Sequence, residues 1–275
     1  MPEHPTHTTA RFLPLGEQGL TVELGDEIDE EVNDRVHLLA AAVRRELVSI
    51  VEEVVPTYRS VLLVFDPLRV TRAELVRRVG ELLAAAASSP PHGKKRRANA
   101  QGARESCRVV HVPVCYGGEL GPDLGFVAEH NALSPDQVIA LHCEPRYRVY
   151  MLGFTPGFPY LGGLSPRIAA PRLDQPRAKV AAGSVGIAGP QTGIYPVESP
   201  GGWRIIGRTP LRLFDPGAAE PFLLRAGDRL RFRPIASDRL AEIERQVAEG
   251  AYPVEVESVP ASTGSARTKP SGGAA

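Results

Sequence analysis

The sequence predicts two unlike parts, a small α+β layer at the N-terminus followed by a mainly β barrel. Three observations predict it. Between residues 11 and 84, pairs of short apolar runs alternate with segments whose apolar residues recur at helical spacing. Residues 86–106 break every periodicity. From Tyr147 onward, many short apolar runs are punctuated by glycine and proline, which number 27 and 26 and crowd into residues 150–217. Such punctuation produces turn-rich β architecture.

Residues 11–24 read as strand, glycine turn, strand, because apolar stretches flank Gly16 and Gly19. Ile28, Val32, Val36, Leu39, Val43 and Leu47 then place one apolar face on a helix. The β-branched runs 50–55 and 60–65, separated by PTYR, predict two antiparallel strands. Thr71 followed by Glu74 is a capping-box start for a second helix, with Leu75, Val76, Val79, Leu82 and Leu83 on one side. Two helices on one face of an antiparallel sheet, of split β-α-β (ferredoxin-like) type, fit this order over residues 9–86.

Residues 87–106 mix Ser, Pro, Gly and the basic run Lys94, Lys95, Arg96 and Arg97, and predict a flexible linker. The barrel part then runs over 107–259. CRVVHVPVCYG alternates as a strand, and a short helix begins at Ser134, Pro135 and Gln137. YRVYMLGF, KVAAGSVGIAG, GIYPV, WRIIGRT, LRLF and DRLRFRP read as strands. An amphipathic helix over 237–249 and the strand VEVES follow, and residues 260–275 predict a disordered tail.

Composition narrows the function classes. Lys plus Arg and Asp plus Glu are 32 each, so net charge gives no reason to expect nucleic acid or an anionic membrane as partner. No apolar stretch approaches the ~20 residues of a membrane span, and Met1–Arg11 has no signal-peptide pattern, so the expected compartment is the cytoplasm. Cys107, Cys115 and Cys143 form no C-x-x-C pair, and none of the seven histidines forms a ligand motif, so no metal site is expected.

Three segments carry the chemistry. In YMLGFTPGFPYLGG, residues 150–163, glycines and prolines alternate with Phe154, Phe158 and Tyr160. This is either a ligand wall approached closely by backbone or a rigid hairpin corner whose aromatics are core. GSVGIAG, residues 183–189, matches neither a dinucleotide-binding nor a P-loop fingerprint, but its amides would suit a carboxylate or phosphate. QTGIYPVESPGGWRIIGR gathers Gln191, Thr192, Tyr195, Glu198, Trp203, Arg204 and Arg208. An acid, an amide and two guanidinium groups suit proton transfer or anion binding; an Arg–Glu surface pair beside a packed Trp is the alternative.

In order, CYGGELGPDL, LHCEPRYRVYMLGFTPGFPYLGGL and PRAKVAAGSVGIAGPQTGIYPVESPGGWRIIGRTPLRLFDP resemble the family of 5-oxoprolinase B subunits, also called allophanate hydrolase subunit 1 or KipI, over roughly residues 107–235. The resemblance implies a cyclophilin-like barrel behind the α+β domain. It also implies a cytoplasmic component that, with the A and C subunits of the enzyme, opens 5-oxo-L-proline to L-glutamate using ATP, with Mg and shared between subunits. Arg204 and Arg208 would neutralise anionic groups, and Glu198 and Gln191 would orient the ring N–H or the nucleotide around one small anionic guest. His142, Phe154, Pro156, Gly157, Phe158, Tyr160, Gly183, Ser184, Thr192, Tyr195 and Trp203 would surround the substrate. Two alternatives go with the family: inhibition of a histidine kinase, and action on allophanate or another urea-type amide.

Overall fold

Residues 10–87 and 107–259 are described by the computed structural model. The expected linker and tail therefore lie outside the described residues, apart from Ala87, which ends a helix.

In the N-terminal layer, Arg11–Leu15 (β1) and Gly19–Glu23 (β2) form an antiparallel hairpin. Helix α1, Glu30–Glu46, starts at Asp29, whose carboxylate accepts the amides of Glu31 and Val32 at 2.8 and 3.1 Å. Val36, Leu39 and Val43 are buried as the spacing predicts, whereas Ile28 precedes the cap and is exposed. Val51–Pro56 (β3) and Ser60–Phe65 (β4) pair next, and Arg72–Ala87 forms α2. Only half of its expected capping box exists. Thr71 Oγ1 accepts the Glu74 amide at 3.2 Å, but the Glu74 carboxylate turns to Arg77 and Arg78.

The sheet order is β1-β2-β4-β3, so β4 lies between the two strands that α1 connects and runs antiparallel to both. Leu20, Val22, Val61, Leu63 and Phe65 pack against Val36, Leu39, Val43, Leu75 and Val79 in one core.

The second part begins with the long strand β5, Cys107–Tyr116, followed by α3, Leu124–His130, and α4, Pro135–Cys143. Ser134 and Gln137 close a complete capping box at α4. The remaining elements are β6 Tyr147–Leu152, β7 Pro159–Gly162, β8 Arg177–Val180, β9 Ser184–Ala188, β10 Gln191–Ile194, β11 Ser199–Gly201, β12 Arg204–Arg208, β13 Arg229–Pro234, α5 Ser237–Ala248 and β14 Val256–Val259.

Seven strands, in the order β12-β9-β10-β7-β6-β13-β5, close into a barrel because β12 pairs again with β5 through Gly207–Tyr116 and Arg208–Cys115. Closure demands a residue without a side chain: a Cβ on Gly207 would stand 2.7 Å from the Cys115 carbonyl oxygen. Strand β14 adds to the start of β5, while β8 and β11 form a separate two-stranded flap. The barrel core combines Val110, Val112, Val149, Ile187, Ile206 and Phe232 with Leu124, Val127 and Val138 of the two short helices.

Three strand expectations need correction, the first being KVAAGSVGIAG, which breaks at residues 181–183 into β8 and β9 of different sheets. LRLF, residues 211–214, is no strand and makes only an isolated bridge from Phe214 to Phe222. The strand in YRVYMLGF stops at Leu152, before Phe154 takes a φ of +67°.

A polar seam joins the layers. Arg148 on β6, its side chain only 9% exposed, donates from Nε to Asn33 Oδ1 at 3.1 Å and from Nη2 to Asp34 at 2.7 Å. The Asn33 amide group then donates to the carbonyls of Thr57 and Tyr58 at 3.0 and 3.1 Å. Arg229 makes a two-point pair with Glu30 at 2.9 and 2.6 Å, and His37 Nε2 donates to the Tyr150 carbonyl at 3.0 Å. Replacing Asn33 with Ala strips a buried guanidinium N–H and two carbonyls of their partner. Urea unfolding of Asn33→Ala is expected to show a loss of about 2–3 kcal/mol.

Candidate functional site

The aromatics of the β6–β7 loop divide into packed and open groups. Phe158 is buried and makes edge-to-face contacts with Tyr195 and Trp203, both at 5.6 Å between ring centres. With Val180, Ala188 and Ile205 these rings form a satellite core. Phe158, Tyr195 and Trp203 are therefore packing groups before they are anything else.

Phe154 differs, being 69% exposed and held at φ +67°, a conformation that a bulky side chain adopts at a cost of about 1–3 kcal/mol. Pro156 is exposed beside it. Gly157, at φ +82°, lies where a Cβ would press 3.1 Å from Phe214 Cβ. Tyr160 is half-buried and turns its ring toward the N-terminal layer.

There it meets Tyr58, which the sequence shows only as part of a strand connection. Asn33 fixes this turn by its carbonyls, and the Tyr58 ring lies 5.2 Å from Tyr150 and 5.8 Å from Tyr160. Gln191 Nε2 donates to Tyr58 Oη at 2.7 Å. Burial raises the Tyr58 phenol above its ordinary range, opposed by that Gln191 bond. Gln191 and Tyr160 are thus brought together with Tyr58 and Tyr150, two residues that sequence reasoning missed. The signals were the tyrosine in PTYR and the one that opens YMLGFTPGFPYLGG.

His142 and Thr192 are joined inside the barrel. The Thr192 hydroxyl donates to the Gly186 carbonyl at 2.9 Å, which leaves its oxygen to accept from His142 Nε2 at 2.9 Å. Nδ1 then carries no proton and accepts from the Tyr116 hydroxyl at 2.7 Å. The ring stacks on Phe232 at 4.3 Å, and burial lowers its pKa to about 3. His142 is a neutral strut between α4, β5 and β10.

The charged residues expected around one anionic guest have separate partners. Glu198 pairs with Lys179 at 3.0 Å, both exposed. Arg204 stacks its guanidinium 3.6 Å from the centre of the Phe126 ring and donates from Nε to the Pro171 carbonyl at 3.2 Å. Arg208 faces Glu244 on α5 at 3.6 Å, and its buried Nε has no hydrogen-bond partner among the described residues. The two arginines stand at opposite ends of β12, roughly 13 Å apart along the strand. Sequence reasoning also missed Asp123, a buried carboxylate that binds Arg177 through two oxygens at 3.0 Å each and accepts the Ile205 amide at 2.6 Å.

The glycine-rich strand offers no anion cradle either. Gly183, at φ +82°, donates its amide to the Tyr195 carbonyl at 2.7 Å, and a Cβ there would stand 2.4 Å from the Thr209 carbonyl oxygen. Ser184 is buried, and its amide bonds Ala181 at 3.2 Å. Among the described residues no three His, Cys, Asp or Glu side chains group to hold a metal. A cavity of about 620 Å³ lies elsewhere, between α5 and residues 251–255.

The His142 geometry has a consequence for pH. The unfolded chain protonates this imidazole near its ordinary 6.5, while the folded protein resists until about 3. Its contribution is complete above pH 6.5 and falls through the window down to about 3, at up to about 1.4 kcal/mol per pH unit. The stability difference between wild type and His142→Gln, measured by urea unfolding from pH 7 to 5, is expected to shrink as pH falls. A constant difference would contradict the buried neutral ring.

Residues 10–224 match the family model described as carboxyltransferase domain, subdomain C and D. The chain is 46% identical over 228 residues to the 5-oxoprolinase B subunit of Bacillus subtilis (strain 168), covering 81% of this chain and 91% of that protein. The crystal structure of TTHA0988 superposes with a TM-score of 0.66 at 40% identity, over 80% of this chain and 40% of that one. Kluyveromyces lactis urea carboxylase shares the fold, with a TM-score of 0.72 at 22% identity over 93% of this chain and 24% of its own length. On the extent of the first match and the family model together, the chain belongs to the family of 5-oxoprolinase B subunits.

Proposed function

We propose that this chain is the B component of an ATP-dependent 5-oxoprolinase that, with its A and C partner components, opens 5-oxo-L-proline to L-glutamate in the cytoplasm. The observation that carries this reading is the match to the Bacillus subtilis protein across 91% of its length. No described helix is long and apolar enough to cross a membrane. The barrel is read as cyclophilin-like on the same family grounds.

The chemistry explains both the ATP and the division of labour among several chains. A five-membered lactam is a resonance-stabilised amide, so water opens it slowly. Phosphorylation of the carbonyl oxygen creates a leaving group and an electrophilic carbon, and the reaction then depends on charge stabilisation and orientation. The groups this chain presents suit orientation better than bond making. His142 is buried and neutral, Cys115 is buried, and Cys143 lies 3.4 Å from the Tyr116 hydroxyl, with burial raising its thiol pKa. Beside these buried groups, the seam offers a hydrogen-bonding and aromatic surface around Gln191, Tyr58, Tyr160 and Phe154. On this reading ATP with Mg would be held by the assembled complex.

A second substrate reading, a urea-type amide such as allophanate, draws on the relatives named urea amidolyase, of which the one from Saccharomyces cerevisiae is 24% identical over 274 residues. The kinase-inhibitor alternative rests on the family resemblance alone. Co-purification with the A and C components, followed by a glutamate assay on 5-oxo-L-proline, separates these readings. Glutamate release that requires both ATP and this chain is expected. Absence of turnover by the complete set overturns the oxoprolinase reading, and ATP-dependent consumption of allophanate instead moves the chain to the second.

A further inference from the structure

The seam between the two layers holds a donor and an acceptor left without partners. Gln191 Nε2 gives a proton to Tyr58 Oη at 2.7 Å. Among the described residues, Gln191 Oε1 accepts from no group and the Tyr58 hydroxyl proton reaches no acceptor. Both side chains are half-buried, so neither is simply solvated surface. A carbonyl acceptor and a hydroxyl donor therefore sit on two adjoining side chains, one from each layer.

A cis amide carries the reciprocal pair, N–H and C=O on the same molecular edge. Ring closure enforces that arrangement in a five-membered lactam, whereas an open-chain secondary amide is trans. We propose that Gln191 and Tyr58 form a recognition site for the cis-amide edge of a lactam, Gln191 Oε1 accepting the ring N–H and the Tyr58 hydroxyl donating to the ring carbonyl. The rings of Tyr150 and Tyr160, 5.2 and 5.8 Å from that of Tyr58, bound the site. That the lactam is 5-oxo-L-proline rests on the oxoprolinase reading.

Three observations support the assignment. Burial keeps the Tyr58 phenol protonated, so it remains a donor at any physiological pH. Asn33 holds the turn at both carbonyls, so the hydroxyl is placed before a ligand arrives, which lowers the ordering cost of binding. The charged residues nearest in sequence are engaged elsewhere, Arg59 with the Gly25 carbonyl at 2.9 Å and Glu23 at 3.3 Å, and Glu198 with Lys179 at 3.0 Å, which leaves amide recognition to neutral groups.

The test is titration of the full-length chain with 5-oxo-L-proline, urea and L-proline, followed by side-chain amide NMR of Gln191. L-proline has the same ring and carboxylate without the lactam carbonyl. Saturable movement of the Gln191 signal with 5-oxo-L-proline, and none with L-proline, is expected. Tyr58→Phe and Gln191→Glu should each weaken binding at least tenfold. In Gln191→Glu the carboxylate accepts the Tyr58 proton, so the seam stays bonded while the free donor and the amide are lost. An unchanged thermal midpoint then separates binding from folding. Equal response to L-proline, a response to urea alone, or wild-type affinity in both variants overturns the site. In the assembled complex, wild-type KM and kcat in both variants overturn the site but leave the oxoprolinase reading standing. Variant-sensitive binding with no glutamate release by the complex does the reverse.

Discussion

The contact between Arg148 and Asn33 is the constraint on which the arrangement depends. A guanidinium so far removed from water is tolerated only when its donors are met, and here a neutral amide and the Asp34 carboxylate accept from it while Glu30 stands 4.0 Å away. Because Asn33 is itself buried, its remaining donors must also find acceptors, and the carbonyls of the β3–β4 turn supply these. One side chain from the barrel thereby dictates the pose of a helix and a turn in the other layer. Tyr58 reaches Gln191 as a result, across 133 residues of sequence. Hydrophobic burial stabilises each layer, but it is non-directional and would not select this pose.

Features whose partners are local were legible in the sequence, and those that depend on distant partners were not. Apolar residues at period 3.6 or 2 located α1, α2, α5 and most strands, because each must bury one face. The Ser134–Pro135–Gln137 start was readable for the same local reason: its hydrogen bonds close within four residues. Which strands close the barrel was not, since that depends on Gly207 of β12 meeting Cys115 of β5, a pairing distant in sequence. Residue type misled most at Arg204 and Arg208. Two arginines in one segment resemble an anion clamp, yet strand geometry separates them, and Phe126 and Glu244 occupy them. Tyr58 carried no chemical signal of its own, because its role comes entirely from what lies opposite.

His142 illustrates a related point about polar groups in cores. Thr192, His142 and Tyr116 hold each other in one proton order, fixed at one end by the Gly186 carbonyl. A chain of this kind is stabilising only when every member is satisfied, and it then specifies one register among neighbouring strands. Strand β10, which also displays Gln191, is located by that order. The buried relay and the interlayer seam are therefore two supports of a single strand.

Phe154 carries a different implication. Its backbone sits where glycine would rest without strain, and its largely exposed ring makes only the edge-to-face contact with Phe158 at 5.7 Å, so the isolated fold gains little from a phenylalanine there. Glycine in its place would relax the loop and remove an oily projection at once. A designer optimising this chain for heat tolerance alone would make that exchange first, and would thereby erase an aromatic that the molecule holds outward under tension.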